Sequence, residues 1–230
     1  MTWEGAIIVM KYNRPVSASV IRRLPRYYRF LGELLAKGVT RISSKELSRL
    51  MKVTASQIRQ DLNCFGGFGQ QGYGYNVEAL HREIGDILGI NNATPAILIG
   101  AGNLGKTIAP QVTTKKRGFH LIGVFDIKPG LVGTPLGELT VRHTDELESF
   151  CQEHHPQAAI ICVPKEAAAQ LADRLVNLGI VGFWNFSSFD FSCHYEGIST
   201  VNVHLGDSIM TLSYLVSHMG SQEKQPSTLR

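Results

Sequence analysis

A short apolar run that leads directly into a glycine-rich turn constrains this fold more than any other feature of the chain. Residues 96–99 (Ala-Ile-Leu-Ile) read as a strand buried on both faces, and Gly-Ala-Gly-Asn-Leu-Gly follows at 100–105. The first glycine permits a sharp turn, the second leaves room for a pyrophosphate, and the third lets a helix pack against the strand. The pattern predicts a dinucleotide-binding α/β domain with these residues at the cofactor: Gly100, Ala101, Gly102, Asn103, Leu104 and Gly105.

A second apolar run ends at a carboxylate in the position expected for ribose binding. Residues 120–125 lead into Asp126, 21 positions after Gly105, and the expected offset is about 20 residues. A carboxylate there accepts hydrogen bonds from both ribose hydroxyls and repels a 2′-phosphate. Asp126 therefore predicts NAD or NADH rather than the phosphorylated cofactors, a preference that Lys128 weakens without reversing.

The same letters also fit a second phosphate-binding motif. Residues 100–107 read G-x-x-x-x-G-K-T, from Gly100 to Thr107, and Asp126 could end the partner strand of a Walker site. Gly102 is needed by the dinucleotide turn and not by the phosphate loop, so the dinucleotide interpretation is favoured. An ATP-responsive regulator remains the alternative.

The rest of the C-terminal half continues the alternation of strands and helices. We expect helices at 145–154 and up to Gly179, and strands at 158–163, 181–183 and 200–203. Ligands of such sheets lie at the carboxyl ends of the strands. This places four further residues at the cofactor: Val163, Pro164, Asn185 and Phe186.

Residues 207–219 predict a helix that is apolar on nearly every side and ends at Gly220. A helix of this kind must be buried all round. At the end of the folded chain it has few local neighbours, so we expect a second subunit to bury it in a homodimer.

The N-terminal half carries the positive charge. Between Arg22 and Arg59 there are ten Lys and Arg residues and two Glu residues, which favours a polyanionic partner. Ser43-x-x-Glu46 and Thr54-x-x-Gln57 are capping boxes that start two short helices after a longer first one, with Pro25 expected in or near its first turns. The spacing predicts a helix-turn-helix.

The third helix of this arrangement is expected to enter the major groove of double-stranded operator DNA. It leaves Ser56, Gln57, Arg59, Gln60 and Asn63 on its open side. Arg and Gln can make bidentate contacts to bases, whereas Ser more often holds phosphate. The glycine-rich stretch at 66–75 predicts a β-hairpin wing. The predicted DNA contacts are Ser44, Lys52, Ser56, Gln57, Arg59, Gln60, Gln71 and Tyr73.

Together these patterns predict an α/β protein with a winged helix-turn-helix domain and a Rossmann-like dinucleotide-binding domain. The expected organisation is an extension at 1–16, the winged helix at 17–88, the Rossmann domain at 89–205, a C-terminal helix at 206–220 and a disordered tail at 221–230.

The combination closely resembles the Rex family of redox-sensing transcriptional repressors over about residues 17–219. The likeness lies in Arg23-Leu24-Pro25-Arg26-Tyr27-Tyr28-Arg29, Gly72-Tyr73-Gly74-Tyr75, the glycine turn and Asn185-Phe186. The resemblance implies a homodimer with a domain-swapped C-terminal helix, operator binding without NADH, and release when NADH binds. NAD and NADH are then the cofactors.

The chain departs from the family pattern at several positions. Gln111 and His204 stand where relatives have a Tyr and an Asp that help to distinguish NADH from NAD⁺, the Asp by pairing with an arginine matched here by Arg29. We take these three as redox-switch candidates. Gln60 and Gln71 stand where many relatives have Lys or Arg, which leaves the operator sequence open.

Other classes are disfavoured by what the sequence lacks. No apolar run is long enough to span a bilayer, so we expect a cytoplasmic protein. Cys64, Cys151, Cys162 and Cys193 lack the spacing of a metal site and are expected to be buried free thiols. The alternative of an NAD-dependent dehydrogenase finds only scattered histidines without orienting partners, namely His154, His155 and His194. We therefore expect neither a metal nor catalysis.

Overall fold

The computed structural model describes residues 7–9, 14–65, 69–70, 74–113 and 117–219. The chain divides into two compact units between Asn92 and Ala93. Gln71, Tyr73 and the predicted tail at 221–230 lie outside the described residues.

The N-terminal unit is a set of helices with a small antiparallel sheet. Its elements are β1 (Ile7–Val9), β2 (Arg14–Val16), α1 (Ala18–Ala36), β3 (Arg41–Ile42), α2 (Ser44–Met51), α3 (Ala55–Asn63), β4 (Gly69–Gln70), β5 (Gly74–Asn76) and α4 (Val77–Ile87). β1 pairs with β2 in a two-stranded ribbon, and β3, β5 and β4 form a sheet in that order. The β4–β5 pair, with Gln70 opposite Gly74, is the predicted wing hairpin.

The first helix begins earlier than the sequence suggested. Pro25 is the eighth residue of α1 and lies inside the helix, not in its first turns. Val20 and Leu24 are both buried one turn apart, so the apolar stripe extends upstream of the proline. Proline in a helix interior costs about 3 kcal/mol, and the packing of fully buried Leu24, Tyr27 and Leu31 offsets that cost.

The C-terminal unit is a seven-stranded sheet covered by helices. Its elements are β6 (Thr94–Ile99), α5 (Asn103–Thr113), β7 (Phe119–Asp126), β8 (Pro135–Leu136), β9 (Leu139–His143), α6 (Leu147–His154), β10 (Ala158–Ile161), α7 (Lys165–Asn177), β11 (Gly182–Asn185), β12 (Ser199–Asn202) and α8 (Leu205–Met219). All paired strands run parallel except the β8–β9 pair, in the order β12-β11-β10-β6-β7-β9-β8. Without β8, this is the strand order of doubly wound dinucleotide-binding domains. The chain builds the sheet outward from β6 in one direction and then from β10 in the other, so the strand order reverses between these two strands.

The alternation along β6 explains the two layers of helices. Ile97 and Ile99 pack on one face with side chains of α6 and α7, and Leu98 packs on the other face with side chains of α5. Both faces of the central strand are therefore apolar, as its continuous hydrophobic run predicted. The reversal point lies at the carboxyl ends of β6 and β10, where the glycine turn begins.

The C-terminal helix α8 is exposed along its whole described length. Seven of its large apolar side chains have more than half of their surface in solvent: Leu205, Ile209, Met210, Leu212, Tyr214, Leu215 and Val216. Within the described ranges, no helix is both long and apolar enough to cross a membrane.

Candidate DNA interface and dinucleotide cleft

The helix-turn-helix is built by the caps that the sequence predicted, with one exception. Ser43 Oγ accepts from the Glu46 amide at 3.1 Å, and Glu46 Oε2 accepts from the Ser43 amide at 2.9 Å, so the first capping box is complete. Thr54 Oγ1 accepts from the Gln57 amide at 3.1 Å. The predicted return contact from the Gln57 side chain to Thr54 is wrong, because that side chain donates to Asp61.

The exposed side of α3 carries three of the eight predicted DNA contacts. Ser56, Arg59, Gln60 and Asn63 are exposed at the spacing of one helical face. Arg59 Nη1 donates to Ser44 Oγ at 3.2 Å, which connects the third helix to the start of the second. Lys52 is also exposed, in the turn between the two helices, where its φ of 51° is left-handed. The structure thus places three predicted contacts on one face of α3, bonds Ser44 to one of them, and leaves Lys52 exposed in the preceding turn.

The sequence suggested that Gln57 is exposed on that face, but the structure shows otherwise. It is half-buried, and its Nε2 donates to Asp61 Oδ1 at 2.8 Å. The reason is the carboxylate itself: Asp61 is 1% exposed and interrupts the apolar stripe between Ile58 and Leu62. A buried carboxylate requires hydrogen-bond donors, and Gln57, one turn earlier, provides one.

Asp61 is the residue that the sequence reasoning missed. Arg23 donates to it from Nε and from Nη2, both at 2.7 Å, and the Tyr27 hydroxyl donates at 3.0 Å. The hydrogen bond to Asp61 raises the pKa of the Arg23 guanidinium. Burial, and then the charge of Asp61, raises the pKa of Tyr27. We call Asp61, Arg23, Tyr27 and Gln57 the Asp61 network; it joins α1 to the third helix.

Arg23 is one of several basic residues in the charged stretch that have partners within the protein. Besides Arg23, Arg26 donates from Nη2 to the Met51 carbonyl at the end of α2. The sequence interpretation assigned the whole stretch to a polyanion. The structure shows that part of this charge holds the helices together.

In the second unit the glycine turn has the geometry that the motif predicts. Gly100 has a φ of +101°, and a Cβ there would lie 2.7 Å from the Cys162 carbonyl oxygen. A Cβ at Gly105 would lie 1.9 Å from the Gly100 oxygen, so α5 can approach the strand only with glycine at that position. A Cβ at Gly102 would have nothing within 4 Å, which leaves open space beside the first turn of α5.

Asp126 holds this turn from the next strand. It is 8% exposed; its Oδ2 accepts from the Ala101 amide at 2.8 Å and its Oδ1 from the Lys128 amide at 2.9 Å. A carboxylate has about four acceptor sites. Each oxygen therefore keeps acceptor capacity for a ribose hydroxyl.

The geometry contradicts the Walker alternative. A phosphate loop spans its first five residues as a loop and places the Lys and Thr where the helix starts. Here α5 begins at Asn103, so Lys106 is already its fourth residue. Thr107 Oγ1 donates to the Asn103 carbonyl within the helix at 2.9 Å. The turn is too short for the loop that this motif needs.

A cavity of about 320 Å³ lies at the carboxyl ends of β11 and β12 and reaches Leu104 of the glycine turn; we call this turn and the cavity the cleft. The cavity is lined by Leu104, Phe186, Ser188, Val203, His204, Leu205, Gly206 and Asp207. Val163 is half-buried and would touch a Cβ at Gly100, while Pro164 is exposed at the start of α7. Among the described residues, His154, His155 and His194 do not line this cavity.

Asn185 lies at the carboxyl end of β11, as predicted, and its side chain bonds to partners within the protein. Its side chain is fully buried; Nδ2 donates to the Phe189 carbonyl at 2.7 Å and to Asn202 Oδ1 at 2.8 Å. Its Oδ1 accepts from the amide and the hydroxyl of Ser187. The side chain is thus used within the protein, and it shapes the loop that carries Phe186.

The three switch candidates have different surroundings. Arg29 is exposed on α1 of the first unit. Gln111, in the third turn of α5, lines an apolar cavity on the sheet face rather than the cleft. His204 lies in the cleft, with Nδ1 3.4 Å from Asp207 Oδ2 and Nε2 3.3 Å from the Ser187 carbonyl oxygen.

The prediction of four buried cysteines is correct only for Cys151. Cys193 is exposed, and Cys64 and Cys162 are half-buried. Burial raises the pKa of Cys151 to about 11 and that of Cys162 to about 12, so both stay protonated near neutrality. No cluster of three potential metal ligands occurs among residues whose placement is described.

Comparison with known proteins agrees with both halves of this architecture. A family model described as "Putative DNA-binding protein N-terminus" matches residues 15–63, and one described as "CoA binding domain" matches residues 91–189. The redox-sensing transcriptional repressor Rex of Clostridioides difficile (strain 630) is 50% identical over 204 residues, 89% of this chain and 97% of that protein. The repressor Rex of Caldanaerobacter subterraneus subsp. tengcongensis is 53% identical over 199 residues, 86% of this chain and 88% of that protein.

Solved structures confirm the resemblance. A crystal structure of RSP in complex with β-NAD⁺ and operator DNA has a TM-score of 0.84 at 49% identity and covers 92% of this chain and 97% of its own. The complex of RSP with β-NADH has a TM-score of 0.82 at 46% identity, covering 91% and 98%. A third structure is described as RSP, a Rex-family repressor. Since about half of its residues are identical to these proteins over nearly nine-tenths of its length, this chain belongs to the Rex family of redox-sensing transcriptional repressors.

Proposed function

We propose that this protein is a redox-sensing repressor that binds operator DNA and is released when NADH binds. One observation carries the proposal: a single chain joins a helix-turn-helix with an exposed basic face to a dinucleotide cleft. The similar RSP structures hold β-NAD⁺ with operator DNA in one case and β-NADH in another. Occupancy of the cleft by the reduced cofactor would then control binding by the helices.

The exposed face of α3 would read the major groove. Arg59, held by Ser44, is the strongest base-contacting candidate, with Gln60 beside it. Ser44, Lys52 and Ser56 would contact phosphates and set the register. Gln71 and Tyr73 of the wing remain predictions from the sequence.

The cleft would bind the dinucleotide in an extended pose across the sheet reversal. The open space at Gly102 and the amides at the start of α5 would hold the pyrophosphate. Asp126 would accept from the adenosine ribose, and the cavity beside Phe186 and His204 would take the nicotinamide end. Coenzyme A shares an adenosine and a pyrophosphate with NAD, so the match to that family model fits the same turn.

A homodimer through α8 is the assembly that the exposed surfaces support. Seven large apolar side chains of this helix lie in solvent in one chain. The sheet face of β10–β12 also has an apolar cavity of about 380 Å³, whose lining includes Ile160, Trp184 and Val201. A helix from a second copy would cover such surfaces.

The coupling between cleft and DNA needs only modest energy. A dimer binds two half-sites whose centres are about 34 Å apart or a multiple of that distance. Closure around NADH that changes the spacing of the recognition helices would be sufficient. Typical coupling of about 1–3 kcal/mol changes affinity about 5- to 150-fold.

A gel-shift assay on promoter fragments, with NADH and NAD⁺ titrated separately, tests the proposal. We expect a shifted band without cofactor that NADH abolishes at lower concentrations than NAD⁺. A band insensitive to both nucleotides would refute redox sensing. Release by Mg-ATP alone would restore the Walker alternative despite the helix geometry.

Replacing Arg59 by alanine should cost about 1–3 kcal/mol of specific DNA affinity, because one bidentate base contact is lost. NADH affinity should not change, since Arg59 lies in the other unit. Fluorescence anisotropy with the promoter fragment measures the loss, and Arg82→Ala, which removes an exposed arginine from α4, serves as the charge-matched control. Equal loss in the two variants would remove Arg59 from the reading face.

Replacing Asp126 by asparagine should weaken NADH binding about 10-fold or more and narrow the preference for NADH over NADPH. The charge that repels a 2′-phosphate disappears, and a hydrogen bond to a charged group is worth about 1.5–3 kcal/mol. Calorimetric titration with NADH and with NADPH measures the ratio of the two affinities. Lys106→Ala is the control and should leave NADH binding unchanged. If the ratio of NADH to NADPH affinity is the same as in the wild type, another residue discriminates between the two nucleotides.

A further inference from the structure

The amide of Gln57 has a definite orientation in the free protein. Its Nε2 donates to Asp61 Oδ1 at 2.8 Å. An ionised carboxylate can only accept hydrogen bonds, so the nitrogen and not the oxygen of the amide must face Asp61. The chemistry of the pair therefore determines which way this side chain is turned.

The carboxylate that orients Gln57 is itself firmly held. Oδ1 of Asp61 also accepts from Arg23 Nη2 at 2.7 Å, and Oδ2 accepts from Arg23 Nε at 2.7 Å and from the Tyr27 hydroxyl at 3.0 Å. Asp61 is only 1% exposed. Donors on α1 thus fix the position of an acceptor inside α3, and this acceptor fixes Gln57.

The rest of the Gln57 amide is available to a ligand. Among the described residues, no partner bonds to its Oε1 or to its second amide hydrogen. In the described part of the chain, Thr200 Oγ1 is the one side-chain oxygen or nitrogen that is both buried and without a hydrogen-bond partner. Since Gln57 Oε1 also has no partner, it must be accessible to solvent. Gln57 therefore presents one acceptor and one donor in the first turn of the recognition helix.

We infer that Gln57 reads an adenine in each half-site, in an orientation set by Asp61 as a positioning residue; this rests on the proposed operator binding. In the major groove adenine presents an amino donor at N6 and an acceptor at N7, which match one acceptor and one donor. Guanine presents two acceptors, O6 and N7, and would need both amide hydrogens. Because Asp61 already holds one of them, Gln57 discriminates against guanine.

Selection of bound duplexes from a randomised pool tests the reading. We expect the wild type to require adenine at one position of each half-site, and Gln57→Ala to lose about 5- to 150-fold discrimination there while keeping it elsewhere. Arg82→Ala is the control; it removes an exposed side chain of α4 outside the Asp61 network and should keep every base preference. The inference would be overturned if Gln57→Ala lost affinity equally for all sequences, or if this variant still required adenine at the same position. Failure of the wild type to select any sequence would overturn operator binding as well.

The positioning by Asp61 has its own tests. Asp61→Asn should narrow the preference for adenine over guanine at that position, because the new amide can donate to Gln57 Oε1 and let it turn over. Independently of any variant, side-chain amide exchange in the wild-type protein should show one protected hydrogen on Gln57 and none on exposed Gln60. An unchanged preference in folded Asp61→Asn, or equal exchange of the two glutamines, would overturn the positioning.

Discussion

Replacing Asp61 by alanine is expected to destabilise the N-terminal unit by about 3 kcal/mol or more. Removing one partner of a buried ion pair typically costs about 3–5 kcal/mol, because the remaining polar groups lose their compensation. Arg23 keeps 31% of its side-chain surface in solvent, which favours the lower end of that range. Domains have only about 5–15 kcal/mol of stability, so this is a large share of the total.

Thermal unfolding followed by circular dichroism, together with denaturant titration, measures this loss. NADH binding should persist, because the cleft belongs to the other unit. Asp86→Ala is the matched control; it removes an exposed carboxylate from α4 and should change stability by less than about 0.5 kcal/mol. If the two variants unfold alike, the Asp61 network contributes orientation without net stability.

Introducing two charges into α8, as Ile209→Asp with Leu212→Asp, is expected to convert the proposed dimer into monomers and to lower operator affinity by about 10²- to 10⁴-fold. The two positions are three apart on the helix, so they share a face, and a buried unpaired carboxylate is costly. A monomer engages one half-site at a time and loses the effective concentration that linked binding provides.

Sedimentation velocity and the promoter gel shift test this pair of effects together. The control is Ile209→Leu with Leu212→Met, which keeps the face apolar and should keep both the dimer and the DNA affinity. Dimers that persist with two aspartates would show that assembly uses another surface. Monomers that still bind the operator tightly would show that the dimer is not needed for recognition.

Much of the fold could be predicted because its signals are local. A glycine turn works through the backbone of six consecutive residues, and its three constraints appear at Gly100, Gly102 and Gly105 as expected. The Ser43 capping box closes within four residues. The continuous apolar run of β6 likewise reports a strand covered on both faces.

Where the side chains lie differently from the sequence prediction, the cause is contacts between distant parts of the chain. Gln57 was expected on the open face because its spacing fits, but its side chain turns to Asp61, whose burial depends on Arg23, 38 positions away in the sequence. Asn185 stays a predicted cofactor residue, but its side chain bonds to Asn202, which is 17 positions away. Neither partnership has a periodicity that a single sequence reveals.

The chain's own residues determined the elements, the caps, the turn that suits a pyrophosphate, and the charge that suits DNA, because each of these is set by neighbours within a few positions. Only the tertiary structure decided which polar side chains remain available to ligands. That outcome depends on burial. A carboxylate removed from water, such as Asp61, accepts hydrogen bonds from the donors that packing places beside it, and these bonds fix the orientation of the donor side chains.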